Sequence, residues 1–295
     1  MLDLLYFIAE QSALYLPLVL GAYISIALMR LPNLSIEAAF VTGAVVAQVV
    51  LRGAPAAPQG LLLVVVCGAS LLGGLMVGLV KALLMQCAAT SSLLASILAT
   101  GIFYGINLYV LDGAIVSLSA HTNPLVFGHM TEHSELYTLL GVALVVGLVC
   151  FLLFKTQLGY SLAIYGNNPL FFKHYNISSS YVVIVGLMIS NALAGLSGYL
   201  VAQSSGFVDI NAGMGVTLFC ITALMLGKLC VRSATVMSAI VPLAGVVLYC
   251  LIQQLLLRVG CNIKYFMVIQ AFVVLGVILA KNRGKAQPQI DHLGV

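Results

Sequence analysis

Charge is what this chain has least of: only 7% of its 295 residues are Asp, Glu, Lys or Arg. A soluble domain carries about a quarter, so too few charges are present to clothe a surface that faces water. The twelve basic residues stand singly near the ends of apolar runs, and the net charge is only +4, which leaves nucleic-acid binding without support. The N-terminus has Asp3 and Glu10 but no basic stretch and no small-residue cleavage site, so residues 4–29 are expected as a retained first span. Catalytic signatures are missing as well. Gly227-Lys228 lacks the upstream glycine of a nucleotide-binding loop, and Leu229 stands where Ser or Thr belongs. There is no HExxH and no Ser/His/Asp set, so no catalytic residue is expected and the chain is not expected to be an enzyme. His121, His129, His133, His174 and His292 are scattered, and no metal or cofactor of its own is expected. The seven cysteines, Cys67, Cys87, Cys150, Cys220, Cys230, Cys250 and Cys261, form no CxxC pair and read as free thiols. The span interiors also lack the paired carboxylates and basic residues of many ion-coupled carriers, which points to energy from another subunit.

What is abundant is apolar length, since 62% of the residues are hydrophobic. About 20 apolar residues cross a bilayer as a helix. The expected fold is all-α and polytopic, with spans near 4–29, 34–51, 60–81, 91–111, 135–154, 180–203, 214–231, 235–257 and 263–281. Arg30, Lys81, Lys155, Lys173, Lys228, Arg232, Lys281, Arg283 and Lys285 fall on one side, against Arg52, Arg258 and Lys264 on the other. The connections 112–134 and 204–213 carry acids and no Lys or Arg, so the basic side is expected to be cytoplasmic. Residues 1–281 then form one membrane domain, and 282–295 a short cytoplasmic tail. An inverted repeat is a further expectation, because spans 1–4 and 6–9 run oppositely and NLSIEAAF and DINAGMGV enter spans 2 and 7 alike.

Several polar positions stand out in this background. In GYSLAIYGNNPLFFKHYN, residues 159–176, Asn168 can cap a short helix whose first residue is Pro169. Such a helix between spans, carrying Phe171, Phe172, Lys173 and His174, reads as a docking element for a cytoplasmic partner. Glu37 is the only acid well inside a span, and two readings stay open: it faces a partner or wet cavity, or it sits in a first helical turn that favours an acid. Asn107, Asn191 and Gln203, with Gln253, Gln254 and Gln270, either bond between helices or touch a solute. The glycine-rich stretch 203–215 places Asp209 and Asn211 at the external face, as a turn or as a gate. Gly74/Gly78 and Gly101/Gly105 are GxxxG pairs assigned to helix packing.

With these residues in view, the chain resembles the membrane-spanning permease subunits of ATP-binding-cassette importers, in the branched-chain amino acid and ribose permease superfamily. The nearest branch looks like the tryptophan/tyrosine-type permeases. The resemblance is carried by LSIEAAFVTGA (34–44), SSLLASILATGIFYGINLYVL (91–111), GYSLAIYGNNP (159–169), GLMISNALAGLSGYLVAQSSGFVDINAGMG (186–215) and KYF (264–266). It implies a pair of permease copies in a bacterial inner membrane and its lipid, two cytoplasmic ATPases that use ATP and Mg, and an external solute-binding protein. The solute implied is small and polar, an amino acid by branch; the rival reading is a self-sufficient secondary transporter or channel. The family's coupling helix falls on 163–176, and its pathway residues are sought among Glu37, Asn107, Asn191, Gln203, Asp209 and Asn211. Ala163 stands where relatives carry a basic residue, FFKHYNIS replaces a MARALGIN-like run, and Gly227-Lys228 replaces Gly-Glu.

Overall fold

The computed structural model describes residues 2–53, 58–118, 124–125, 134–175, 178–231, 238–260 and 266–283. His121, His129, His133, His292, Cys261, Lys264, Lys285, Arg232 and residues 284–295 of the tail lie outside the described residues, as does most of the 112–134 connection. The helices are α1 (Leu2–Ala22), α2 (Ser35–Gly53), α3 (Gln59–Cys87), α4 (Ser92–Leu111), α5 (Ser134–Phe154), α6 (Gln157–Asn167), α7 (Leu170–His174), α8 (Ser179–Ser205), α9 (Val216–Cys230), α10 (Ile240–Arg258) and α11 (Phe266–Arg283). Among the described residues, eight segments are long and apolar enough to cross a membrane: Leu4–Leu28, Ser35–Gly53, Gln59–Cys87, Ser92–Leu111, Ser134–Phe154, Ser179–Ser205, Ile210–Cys230 and Ile240–Arg258. α11 occupies the place expected for the ninth. The chain is an all-α, multi-pass membrane protein.

Two helices form the centre. α8 is packed by α1, α2 and α3, and most of α8 and of Leu4–Leu28 is buried, whereas α4 and α5 turn most of their apolar surface outward. Apolar surface can face outward here because lipid, unlike water, does not penalise it. Close approach in the centre therefore depends on small residues and hydroxyls, not on the hydrophobic effect. A Cβ on Gly74 or Gly78 would overlap the backbone of Asn191 or Leu187 in α8, so this GxxxG pair packs as expected. Gly101 and Gly105 do not: nothing among the described residues lies within 4 Å of where their Cβ would be. Ser197 Oγ donates to the Leu14 carbonyl and Ser190 Oγ to the Gly21 carbonyl, each at 2.7 Å, tying α8 to α1.

The first span ends irregularly. Tyr23–Leu28 forms a π-helical turn, closed by Met29 N donating to Ile24 O at 3.0 Å. Arg30 then adopts positive φ (53°), and a non-helical crossing of residues 30–34 leads into α2. The 203–215 stretch also has more structure than a turn. Phe207–Asp209 (β2) pairs antiparallel with Ile115–Ser117 (β1), with Val208 opposite Val116, and a 3-10 turn spans Ile210–Gly213.

The six described cysteines are free, and no cluster that could hold a metal occurs among the described residues.

Candidate functional site

The segment read in the sequence as a docking element is two short helices, not one. Thr156 N donates to Leu153 O, turning the chain sharply out of α5, and α6 then packs against α5, α8 and the π-helical turn. Its buried side is Leu162 and Ala163. Gly166 lies so close to the Leu28 carbonyl that a Cβ there would collide with it. The expected start at Pro169 moves one residue, because α7 begins at Leu170; Asn168 contributes its backbone, accepting from Phe171 N at 3.1 Å and donating to Ile164 O at 2.8 Å. Phe172 is only 4% exposed and sits 6.3 Å from the Tyr165 ring, so it anchors α7 to α6 and presents little to a partner. Phe171 is half-buried between the rings of Phe172 and Tyr175. Ala163 is likewise buried, whereas Asn168, Pro169 and His174 are exposed. Lys173 lies within α7, its side chain outside the described set. Two residues that the sequence reading passed over form the outer surface: Leu170, 60% exposed, and Tyr175, 65% exposed. Helical spacing from residue 170 was the signal, since it places 170 with 174, 171 with 175, and 172 apart.

A second cluster lies at the crossing between the first two spans. Lys81 was expected at a cytoplasmic span end; it is instead fully buried in α3, with 0% exposure. Its Nζ donates to Asn33 Oδ1 at 2.9 Å and to the Pro32 carbonyl at 3.1 Å. Ser92 Oγ donates to that same Pro32 carbonyl at 2.8 Å. Ser35 Oγ donates to Asn33 Oδ1 at 2.7 Å and accepts from Asn191 Nδ2 at 3.2 Å, while Asn33 Nδ2 donates to Ser190 Oγ at 3.4 Å. α3, α4 and α8 thus supply the hydrogen bonds that a non-helical crossing buried among helices needs. Asn191 is a member of this network. Asn107 is paired too, donating to Thr42 Oγ1 at 3.1 Å. Gln203 Oε1 and both side-chain polar atoms of Gln48 are buried without a hydrogen-bond partner among the described residues.

Glu37 stands where two helices begin. It lies in the first turn of α2, and its Oε1 accepts from Thr217 N, 3.3 Å away, in the first turn of α9. α9 starts after Gly215 at φ 83° with no side-chain cap of its own, so the carboxylate caps it from outside. The segments entering spans 2 and 7, read in the sequence as echoes of each other, therefore meet at this residue. Asp209 acts locally, because its Oδ1 accepts from Asn211 N at 2.8 Å and starts the 3-10 turn. Asn211 is exposed. A carboxylate at a helix N-terminus contributes about 0.3–1 kcal/mol, more when partly buried. Glu37→Gln keeps an acceptor but removes the charge, so its expected outcome is a small fall in melting temperature with uptake per assembled complex unchanged. A severe loss of uptake at normal stability would give Glu37 a role beyond capping.

Residues 4–278 match the protein family described as the branched-chain amino acid transport system permease component. The chain belongs to this permease family. The permease is 30% identical to the tyrosine transport system permease protein of Clostridioides difficile over 222 residues, 75% of this chain and 71% of that one. It is 27% identical to an uncharacterised protein of Rickettsia prowazekii over 277 residues, covering 91% of this chain and 95% of that one. It is also 27% identical to the autoinducer 2 import system permease protein LsrC of Escherichia coli over 173 residues, 57% of this chain and 49% of that one. No solved structure matches the permease.

Proposed function

We propose that this permease carries a small polar solute inward as the membrane subunit of an ATP-driven importer in a bacterial inner membrane. A cytoplasmic ATPase uses ATP and Mg, an external solute-binding protein delivers the solute, and a second permease copy completes the pathway. An amino acid is the solute favoured, supported by the similarity to the tyrosine transport permease. The observation that carries the reading is the α6–α7 pair, an exposed Leu170, His174 and Tyr175 surface held between two membrane spans. The basic residues of the α6–α7 side support a cytoplasmic location for it and for the C-terminus, and the asymmetry survives withdrawing the buried Lys81 from it. Force applied there has a short route inward. α6 abuts the Leu28 carbonyl through Gly166, and the crossing beyond Leu28 leads into α2, whose first turn holds the start of α9. Asp209 and Asn211 belong to the entry face under this reading. Glu37, Asn107, Asn191 and Gln203 belong to the moving helices around the pathway. Gly101 and Gly105 on α4 give a second copy a surface that it can approach closely.

The test uses reconstituted permease and ATPase. Exposed aromatic anchors in small interfaces cost about 2 kcal/mol when truncated. Leu170→Ala with Tyr175→Ala should therefore weaken ATPase pull-down more than tenfold at unchanged permease stability, while Phe172→Ala should lower the melting temperature first. An impermeant thiol reagent should reach a cysteine at position 168 only from inside. Solute uptake by permease liposomes without any ATPase would overturn the reading in favour of a self-sufficient carrier.

A further inference from the structure

α5 and α10 both pack on α1, and between them runs a groove of about 900 Å³. Its floor is α1 from Leu5 to Leu20, a rise of about 22 Å that fits within the ~30 Å of bilayer hydrocarbon. Its walls include Leu144, Gly147 and Phe151 on α5 and Leu243 and Val247 on α10. The lining is nearly all aliphatic, so a polar solute finds almost no hydrogen-bonding partner there. One end differs. One turn beyond Phe151, the exposed Lys155 holds its Nζ 4.3 Å from the centre of the Phe151 ring, at the mouth of the groove nearest α6. A long apolar slot inside the membrane with a lysine at one end is complementary to an amphiphile with an anionic head. We propose that this groove binds one phospholipid, its acyl chain lying along α1 between α5 and α10 and its phosphate meeting Lys155. A lipid held there braces α5 against α10 at the end where α5 leads into the docking helices. This site depends on the membrane-spanning fold and not on ATP-driven import, so either can fail alone.

The experiment uses the full-length permease, purified in detergent and stripped of lipid, with phosphatidylglycerol and phosphatidylcholine as probes. Native mass spectrometry counts bound lipid, and thermal unfolding reads its effect. Wild type should retain one phosphatidylglycerol in preference to phosphatidylcholine and unfold at a higher temperature with it. Lys155→Gln should weaken phosphatidylglycerol binding about fivefold, the contribution of one lysine near an anionic headgroup, and remove the preference. A Cβ on Gly147 meets no atom of the described residues within 4 Å, so Gly147→Phe points into the open groove and should abolish both the bound lipid and the stabilisation. Leu243→Trp, from the opposite wall, should do the same. The proposal is overturned if both groove-filling variants keep the lipid and its stabilising effect, or if wild type does not distinguish the two headgroups. A cysteine at Leu144 that cross-links two permease copies would also overturn it, giving the groove to a second copy.

Discussion

Gly166→Val should insert and accumulate like wild type and yet lose more than tenfold in solute-stimulated ATP hydrolysis when assembled with its ATPase. The reason is local. Any Cβ at this position collides with the Leu28 carbonyl, and that oxygen belongs to the π-helical turn, which has no side-chain freedom with which to give way. α6 must therefore shift and take α7 with it. Overpacking of this kind costs about 1–3 kcal/mol, and each 1.4 kcal/mol lowers the population of the docked arrangement about tenfold. The outer residues Leu170, His174 and Tyr175 keep their chemistry in this variant; only their placement changes. Normal ATPase affinity together with normal coupling in Gly166→Val would show that the contact between α6 and the end of the first span transmits nothing.

Lys81→Met should leave a permease that reaches the membrane but unfolds at a markedly lower temperature and transports at least tenfold less per assembled complex. Methionine matches lysine in length and removes its donors. Pro32 O keeps Ser92, and Asn33 Oδ1 keeps Ser35, so no acceptor is orphaned, but both tethers from α3 to the crossing are lost. At about 1 kcal/mol or more for each hydrogen bond, the crossing loses roughly 2–3 kcal/mol of restraint where α2 begins. With the native cysteines replaced, a cysteine at Leu34, which is half-buried in the crossing, should label faster in the Lys81→Met background than with Lys81 present, which is the direct reading of a loosened crossing. If Lys81 instead extended to the membrane surface, the substitution would change neither melting temperature nor labelling.

These expectations differ in how far the sequence supported them. Most helix ends were legible to within a few residues because apolar length is a local property: 91–111 became Ser92–Leu111, and 180–203 became Ser179–Ser205, whereas 60–81 became Gln59–Cys87. The short helical segment proposed for docking was conspicuous in the sequence because it is polar and proline-containing and lies between long spans. Its surface was not, since the choice between Phe171 and Phe172 depends on where Tyr165 lies, and that follows from the packing of α6. Lys81 misled for a related reason. A lysine at the end of an apolar run is usually a surface anchor, but α3 continues to Cys87 and carries Lys81 inward, against a crossing whose carbonyls need donors. Glu37 was recognised as unusual, and one of its two readings, an acid in a first helical turn, describes its place. The second helix that it caps begins 180 residues later, so only the fold could reveal it.

Composition alone settled that the chain lives in a membrane, because so few charges cannot hydrate a surface, and apolar run length marked where its long helices run. Its motifs, local in sequence, settled the family. What only the tertiary structure decided is which polar groups meet. In a bilayer a buried polar side chain favours a hydrogen-bond partner, and a distant part of the chain usually supplies it. Lys81 with Asn33, Asn191 with Ser35, Asn107 with Thr42 and Glu37 with Thr217 are pairings set by helix packing, which no local pattern encodes.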